Sequence, residues 1–127
     1  MDELYSEIIL DHYRHPHNSG ALKNPTVRVT EYNPLCGDAI TMDVVVEKKG
    51  NVKEIKFFGE GCAISQAAAS LLTDTLLGMS IKKIQQMSAN DILQLLHIPI
   101  SPGRMKCALL PLSVAKKAAA QIRMIKK

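Results

Sequence analysis

The chain reads as an α+β domain, with a three-stranded antiparallel sheet and helices packed on one of its faces. Three observations predict this. Alternating apolar and polar residues run from Thr26 to Phe58, the period of strands. Helical spacing runs from about Cys62 to Ile125. Strands come first and helices after, the order of segregated layers rather than of repeated strand–helix–strand units.

The elements follow in order. Residues 3–15 read as a helix, with Leu4, Ile8, Ile9 and His12 or Tyr13 at helical spacing and Asp2 as its cap. His15-Pro16-His17-Asn18-Ser19-Gly20 stops it, because proline and glycine do not continue a helical ladder. Residues 26–30 alternate as a first strand. Asn33-Pro34 and Gly37-Asp38 mark a turn, and residues 40–47 alternate as a second strand. Lys48-Lys49-Gly50-Asn51 makes a hairpin to a third strand, 52–58, which Gly59-Glu60-Gly61 ends. A helix opened by Cys62 or Ser65 runs to about Leu77, where Gly78 stops it. A short helix follows from Ser80 to about Gln86, and Ser88-Ala89-Asn90-Asp91 signals another over 89–97. After the 99–103 loop a last helix runs from about Arg104 to Ile125, with Leu109, Leu112, Ala115, Ala119 and Ile122 as its apolar stripe.

At 127 residues the chain is expected to be one domain, 1–127, large enough for a core without staples. Its hydrophobic content of 46% and charged content of 22% are ordinary for a soluble protein. No apolar run reaches the ~18–20 residues of a membrane span. The acidic start Met1-Asp2-Glu3 does not read as a secretory signal. Three cysteines, an odd number, argue for a reducing, cytoplasmic setting rather than a disulfide framework. The net charge of +4 is uneven: residues 1–60 hold 7 basic and 10 acidic groups, residues 61–127 hold 9 and 2. That excess can steer an acidic partner or be a solvated helix face. Aromatic content of 4% and the lack of a recognised motif speak against nucleic acid.

The chemistry lies in Asn33-Pro34-Leu35-Cys36-Gly37-Asp38, Gly59-Glu60-Gly61-Cys62-Ala63 and Arg104-Met105-Lys106-Cys107-Ala108. Three thiolates and a carboxylate make a complete ligand set for zinc or for the irons of a small cluster. Cys36 and Asp38 are two apart, so in extended chain they share a side. A hairpin between strands two and three places both beside Cys62, at one end of the sheet. Cys62 sits at a helix mouth, and Cys107 in a first helical turn beside Lys106; helix N-termini and cations favour the thiolate. The alternative is three small buried hydrophobes. Buried cysteines usually fall inside apolar stretches, whereas these three fall at loop edges.

These residues resemble the U-type iron–sulfur cluster scaffold family, the NifU N-terminal or IscU-like domain. The resemblance also rests on Tyr5-Ser6-Glu7-Ile8-Ile9-Leu10-Asp11-His12-Tyr13 with His15-Pro16-His17-Asn18, and it spans essentially the whole chain. It implies a carrier rather than an enzyme. Such a protein accepts sulfur from a cysteine desulfurase, assembles a transient cluster, most often [2Fe-2S], and passes it to recipient apoproteins, with iron and electron donors as further partners. It implies Cys36, Cys62 and Cys107 as ligands and sulfur-accepting thiols, and Asp38 as fourth ligand, in a monomer or weak homo-oligomer without nucleic acid or membrane. The run Arg104-x-Lys106-Cys107 resembles the SufU branch, where three cysteines and the aspartate hold Zn2+. The 45 positions from Cys62 to Cys107 resemble the IscU type instead. Pro99-Ile100-Ser101-Pro102-Gly103 stands where that type has Leu-Pro-Pro-Val-Lys for a chaperone.

Other residues read as supporting. His12 packs or caps on its helix, and His15 and His17 flank a proline in an exposed turn open to partner docking. Lys106 reads either as a partner for Asp38 or as a solvated helix-start lysine. A zinc hydrolase is disfavoured, since no His-x-Glu or His-Glu-x-x-His motif is present.

Overall fold

The computed structural model describes residues 3–34, 37–97 and 99–125, with side chains from residue 7. Its elements are α1 (Glu3–Arg14), β1 (Val27–Asn33), β2 (Asp38–Val46), β3 (Val52–Glu60), α2 (Ala63–Leu76), α3 (Ile81–Gln86), α4 (Ala89–Leu96), a 3-10 turn at Pro102–Arg104, and α5 (Met105–Ile125). The sheet is an antiparallel meander in the order β1-β2-β3. α5 lies across β1 and β2, α2 lies across β3, and α1 packs on α2. The α+β architecture expected from the sequence is the one observed.

Strand parity decides what is inside. Val27, Val29, Ile40, Met42, Val44, Ile55 and Phe57 face the helices and are buried. They meet Ile64, Leu72 and Leu76 of α2 and Val114, Ala115 and Ile122 of α5. The α5 stripe is wider than five positions: Ala108, Leu110 and Ala118 are also buried, and Leu109 only partly. Pro111 lies inside α5 and is buried.

Three boundaries differ from expectation. β1 extends to Asn33 because β2 pairs with it down to the Asn33–Asp38 pair. β3 runs through Gly59 to Glu60, where it pairs with Ile40 and Ala39. The chain at Pro102–Arg104 tightens into a 3-10 turn before α5 begins at Met105. The expected Asp2 cap lies outside the described residues.

The sheet's other face carries one buried charge. Asp43 is fully buried there. It accepts bonds from Arg28 Nε (2.6 Å) and Nη2 (2.7 Å) and from the Leu22 N–H (2.8 Å). These bonds hold the chain ahead of β1 across the face. Burial pushes the Asp43 carboxyl up, but the bonds from Arg28 and Leu22 and the guanidinium charge outweigh it, so it titrates below its ordinary value. A lowered carboxylate stabilises the fold above its unfolded value, and that stability is lost as pH falls through the folded one. Arg28→Met should therefore be less stable than wild type at pH 7, with the gap closing below about pH 4. Urea unfolding at pH 7 and pH 3 reads this; a gap that widens in acid would contradict the assignment.

α1 is fastened at its C-terminal end. His12 Nδ1 is hydrogen bonded to Ser70 Oγ (2.8 Å), and the His17 N–H donates to the same oxygen (2.8 Å). His17 Nδ1 meets Asp74 Oδ2 at 2.5 Å, and Asn18 Nδ2 donates to Thr73 Oγ1 and Asp74 Oδ1. His17 is thus tied to α2 while its side chain stays exposed.

Candidate metal centre

Three elements end at one corner. β2 opens with Asp38, β3 closes at Glu60 opposite Ala39, and Cys62 caps the N-terminus of α2. The Cys62 side chain makes no cap bond; its thiol donates weakly to Ser65 Oγ at 3.9 Å. Cys107 is the third residue of α5. α2 and α5 therefore both start here, and both direct the positive end of their backbone dipoles at the corner.

Ligand atoms of Asp38, Cys62 and Cys107 all lie within 4.8 Å of one another. Asp38 and Cys107 are each 4% exposed, Cys62 is partly exposed, and neither Cys62 nor Cys107 is in a disulfide. Cys36 lies outside the described residues. The structure thus brings together three of the four residues singled out in the sequence.

The corner is closely built. Ser65, fully buried, donates its hydroxyl to the Cys62 carbonyl (3.1 Å) and sits 3.9 Å from Cys62 Sγ. A Cβ placed on Gly61 would collide with Ser65 Oγ and stand 3.4 Å from Asp38 Cγ. A side chain at 61 would force the Ser65 hydroxyl to move. Ser65 entered the sequence reading as a helix opener; its place one turn from Cys62 was the available signal for more. Lys106 is exposed and lines a groove with Tyr32, Pro34 and Ser113. It forms no ion pair with Asp38.

The donor set fits a cation. Asp38 Oδ2 is buried with no hydrogen-bond partner among the described residues, an arrangement that costs free energy unless something binds there. Ligand atoms on a tetrahedral zinc with sulfur and oxygen donors stand about 3.3–3.8 Å apart. Spacings up to 4.8 Å thus need roughly 1 Å of contraction. Sulfur-rich donors suit zinc and iron–sulfur clusters rather than magnesium or calcium.

With that geometry in hand, the chain matches the family described as NifU-like N terminal domain over residues 4–127. The chain belongs to the NifU-like N-terminal domain family. This NifU-like chain is 34% identical to the zinc-dependent sulfurtransferase SufU of Bacillus subtilis (strain 168), covering 95% of this chain and 92% of that one. It is 30% identical to the iron–sulfur cluster assembly scaffold protein IscU of Escherichia coli (strain K12), covering 94% of each. The SufU alignment takes 139 positions, more than the 127 residues here, so SufU carries residues this chain lacks. The IscU alignment takes 122. Among solved structures, one described as an iron–sulfur cluster assembly scaffold protein for the SUF system, from Fervidobacterium islandicum AW-1, superposes with TM-score 0.80 at 25% identity, over 91% of this chain and 96% of that one. The N-terminal part of a NifU-like protein from Brucella abortus shares the fold, with TM-score 0.75 at 19% identity over 96% of this chain and 99% of that one. No described helix of the NifU-like chain is long and apolar enough to cross a membrane.

Proposed function

We propose that this protein is an iron–sulfur cluster assembly scaffold. It accepts sulfur from a cysteine desulfurase, assembles a [2Fe-2S] cluster as cargo on Cys36, Cys62 and Cys107 with Asp38, and passes it to apoproteins. The observation that carries the reading is the convergence of two thiols on a buried carboxylate, one oxygen of which has no hydrogen-bond partner among the described residues.

The chain's own residues supply three things. Cys62 is partly exposed at a helix N-terminus, which makes it, of the two described thiols, the better placed to receive sulfur. As thiolate it attacks the outer sulfur of the donor's persulfide; a new S–S bond forms, the old one breaks, and the donor leaves as thiolate. Reducing that sulfur to sulfide takes two electrons from a separate electron donor. Cys107, buried beside it, holds the product. Asp38 supplies a hard oxygen ligand, weaker than thiolate toward a soft cluster, which keeps release open.

A second reading is a zinc-dependent sulfur acceptor of SufU type, in which the same four residues hold Zn2+. The run Arg104-x-Lys106-Cys107 and the 34% identity to SufU favour it. Metal and acid-labile sulfide analysis of protein purified without oxygen, beside Cys36→Ser, decides. Iron with matching sulfide, lost in the variant, is the expected result. One zinc without sulfide, resistant to iron reconstitution, would move the assignment to the second reading.

A further inference from the structure

α2 and α5 both start at the thiol corner and carry the chain away from it. Their far ends meet α3, and there the surface changes character. A groove of about 360 Å³ opens between the end of α2, α3 and α4. Met79, Met87 and Leu95 line its apolar floor, with Thr75, Gln94 and Lys83 among its rim residues. On the other side of α3, Lys82 and Arg123 line a second groove with Ile81 and Gln85. Lys116 stands two helical turns before Arg123 on the same side of α5.

None of Lys82, Lys83, Lys116 and Arg123 has an ion-pair partner among the described residues. Residues 61–127 hold two carboxylates, Asp74 and Asp91. Asp74 is bound to His17 and Asn18, and Asp91, though it lines the apolar groove, accepts from the Ser88 N–H at 2.8 Å. Lys117, by contrast, is neutralised by Glu31 at 2.9 Å. Lys82, Lys83, Lys116 and Arg123 thus outnumber the carboxylates of this half, and Lys83 and Asp91 both line the methionine-lined apolar groove.

We infer that this end of the molecule docks an acidic amphipathic protein helix, its apolar side chains in the Met79–Met87–Leu95 groove and its carboxylates on Lys82, Lys83, Lys116 and Arg123. The combination selects the partner. Methionine-lined grooves adapt to varied apolar side chains, and a helix in a groove reads as a few spaced anchors. Residues 61–127 contain no aromatic residue, so the base stacking that single-stranded nucleic acid uses is missing. The apolar surface is a concavity between helices, whereas membrane-surface binding uses a protruding apolar face. Cys107 and Arg123 are 16 residues apart along α5, so Arg123 lies about 24 Å from the thiol corner. That exceeds the Debye length of about 8 Å at physiological salt. The charge at Arg123 is therefore largely screened from the thiol corner.

The test uses the intact protein and a fluorescein-labelled synthetic helix of roughly 15 residues, leucine on one face and glutamate on the other. Fluorescence anisotropy measures its affinity. Lys82→Glu/Lys83→Glu should weaken binding about tenfold. Gln94→Trp, which fills the groove from its exposed rim, should weaken it comparably. Lys23→Glu/Lys56→Glu, the same charge change outside these grooves, should stay within about threefold. Far-ultraviolet circular dichroism confirms that each variant is folded, and thiol-directed metal content should be unchanged in all of them. Equal losses in both charge-reversal variants would show only a net-charge effect and overturn the inference. So would no binding of the acidic helix, or tighter α3-dependent binding to phosphatidylglycerol vesicles or an RNA oligomer.

Discussion

Metal-free Asp38→Ala protein is expected to be more stable than wild type. Asp38 is 4% exposed and its Oδ2 has no described hydrogen-bond partner. Removing a buried, half-satisfied carboxylate removes its desolvation cost, about 1–3 kcal/mol. For a domain of this size that is a rise in Tm of roughly 3–10 °C. Such a gain from deleting a residue is the signature of a group kept for binding at the expense of stability. The loaded protein gives the complementary result. Without the oxygen ligand, a reconstituted cluster should leave about tenfold more slowly, about 1.4 kcal/mol in the barrier. Differential scanning calorimetry reads the first effect, and loss of visible absorption to a chelator reads the second. A lowered Tm would mean that the carboxylate is satisfied within the fold, and faster cluster loss would remove Asp38 from its role in release.

Gly59→Ala should have the opposite sign and a larger size. Gly59 is inside β3 at φ +145°, where side chains are rarely tolerated. A Cβ there would collide with the backbone carbonyl oxygen of Ala39 on β2. Backbone in a paired strand cannot step aside as a flexible side chain does. Strain and collision together should cost about 3 kcal/mol or more, seen as a fall in the urea midpoint of metal-free protein. Because Ala39 follows Asp38, the displaced strand end should also reduce zinc retention. A midpoint within experimental error of wild type would show that the strand ends there in solution.

The same two positions show what the sequence could and could not announce. The alternation of Ile40, Met42 and Val44 fixes which face of β2 is inside, since a one-residue slip would expose all three. The order of strands and helices then fixes the layers, and the hairpin brings Asp38 beside Gly61. Those steps are local and were legible. The approach of Cys107 to Cys62 was not, because they stand 45 positions apart and only the packing of α5 on α2, β1 and β2 closes the gap. Here the family resemblance supplied what periodicity could not. Asp43 was also opaque: a strand-alternation rule places it on the polar face, yet the chain ahead of β1 crosses that face and buries it. His17 lies in the exposed turn that the sequence indicated, and only its contact with Asp74, a residue from another element, was out of reach of local reading. Lys106 stands next to Cys107 in sequence, but its side chain lies in the groove beside Tyr32.

Pro111 stands four residues after Cys107, within α5. Proline has no N–H, so the Cys107 carbonyl cannot take its usual helical bond, and the ring crowds that same oxygen. The first turn of α5 is therefore coupled to the rest of the helix by one rung fewer. The fourteen residues from Leu112 to Ile125, about four turns, stay docked on the core. The turn ahead of them is mechanically compliant. If coordination draws the Cys107 thiol inward by the ångström it requires, this turn is the part of α5 expected to yield, with the rest of the helix held on the sheet.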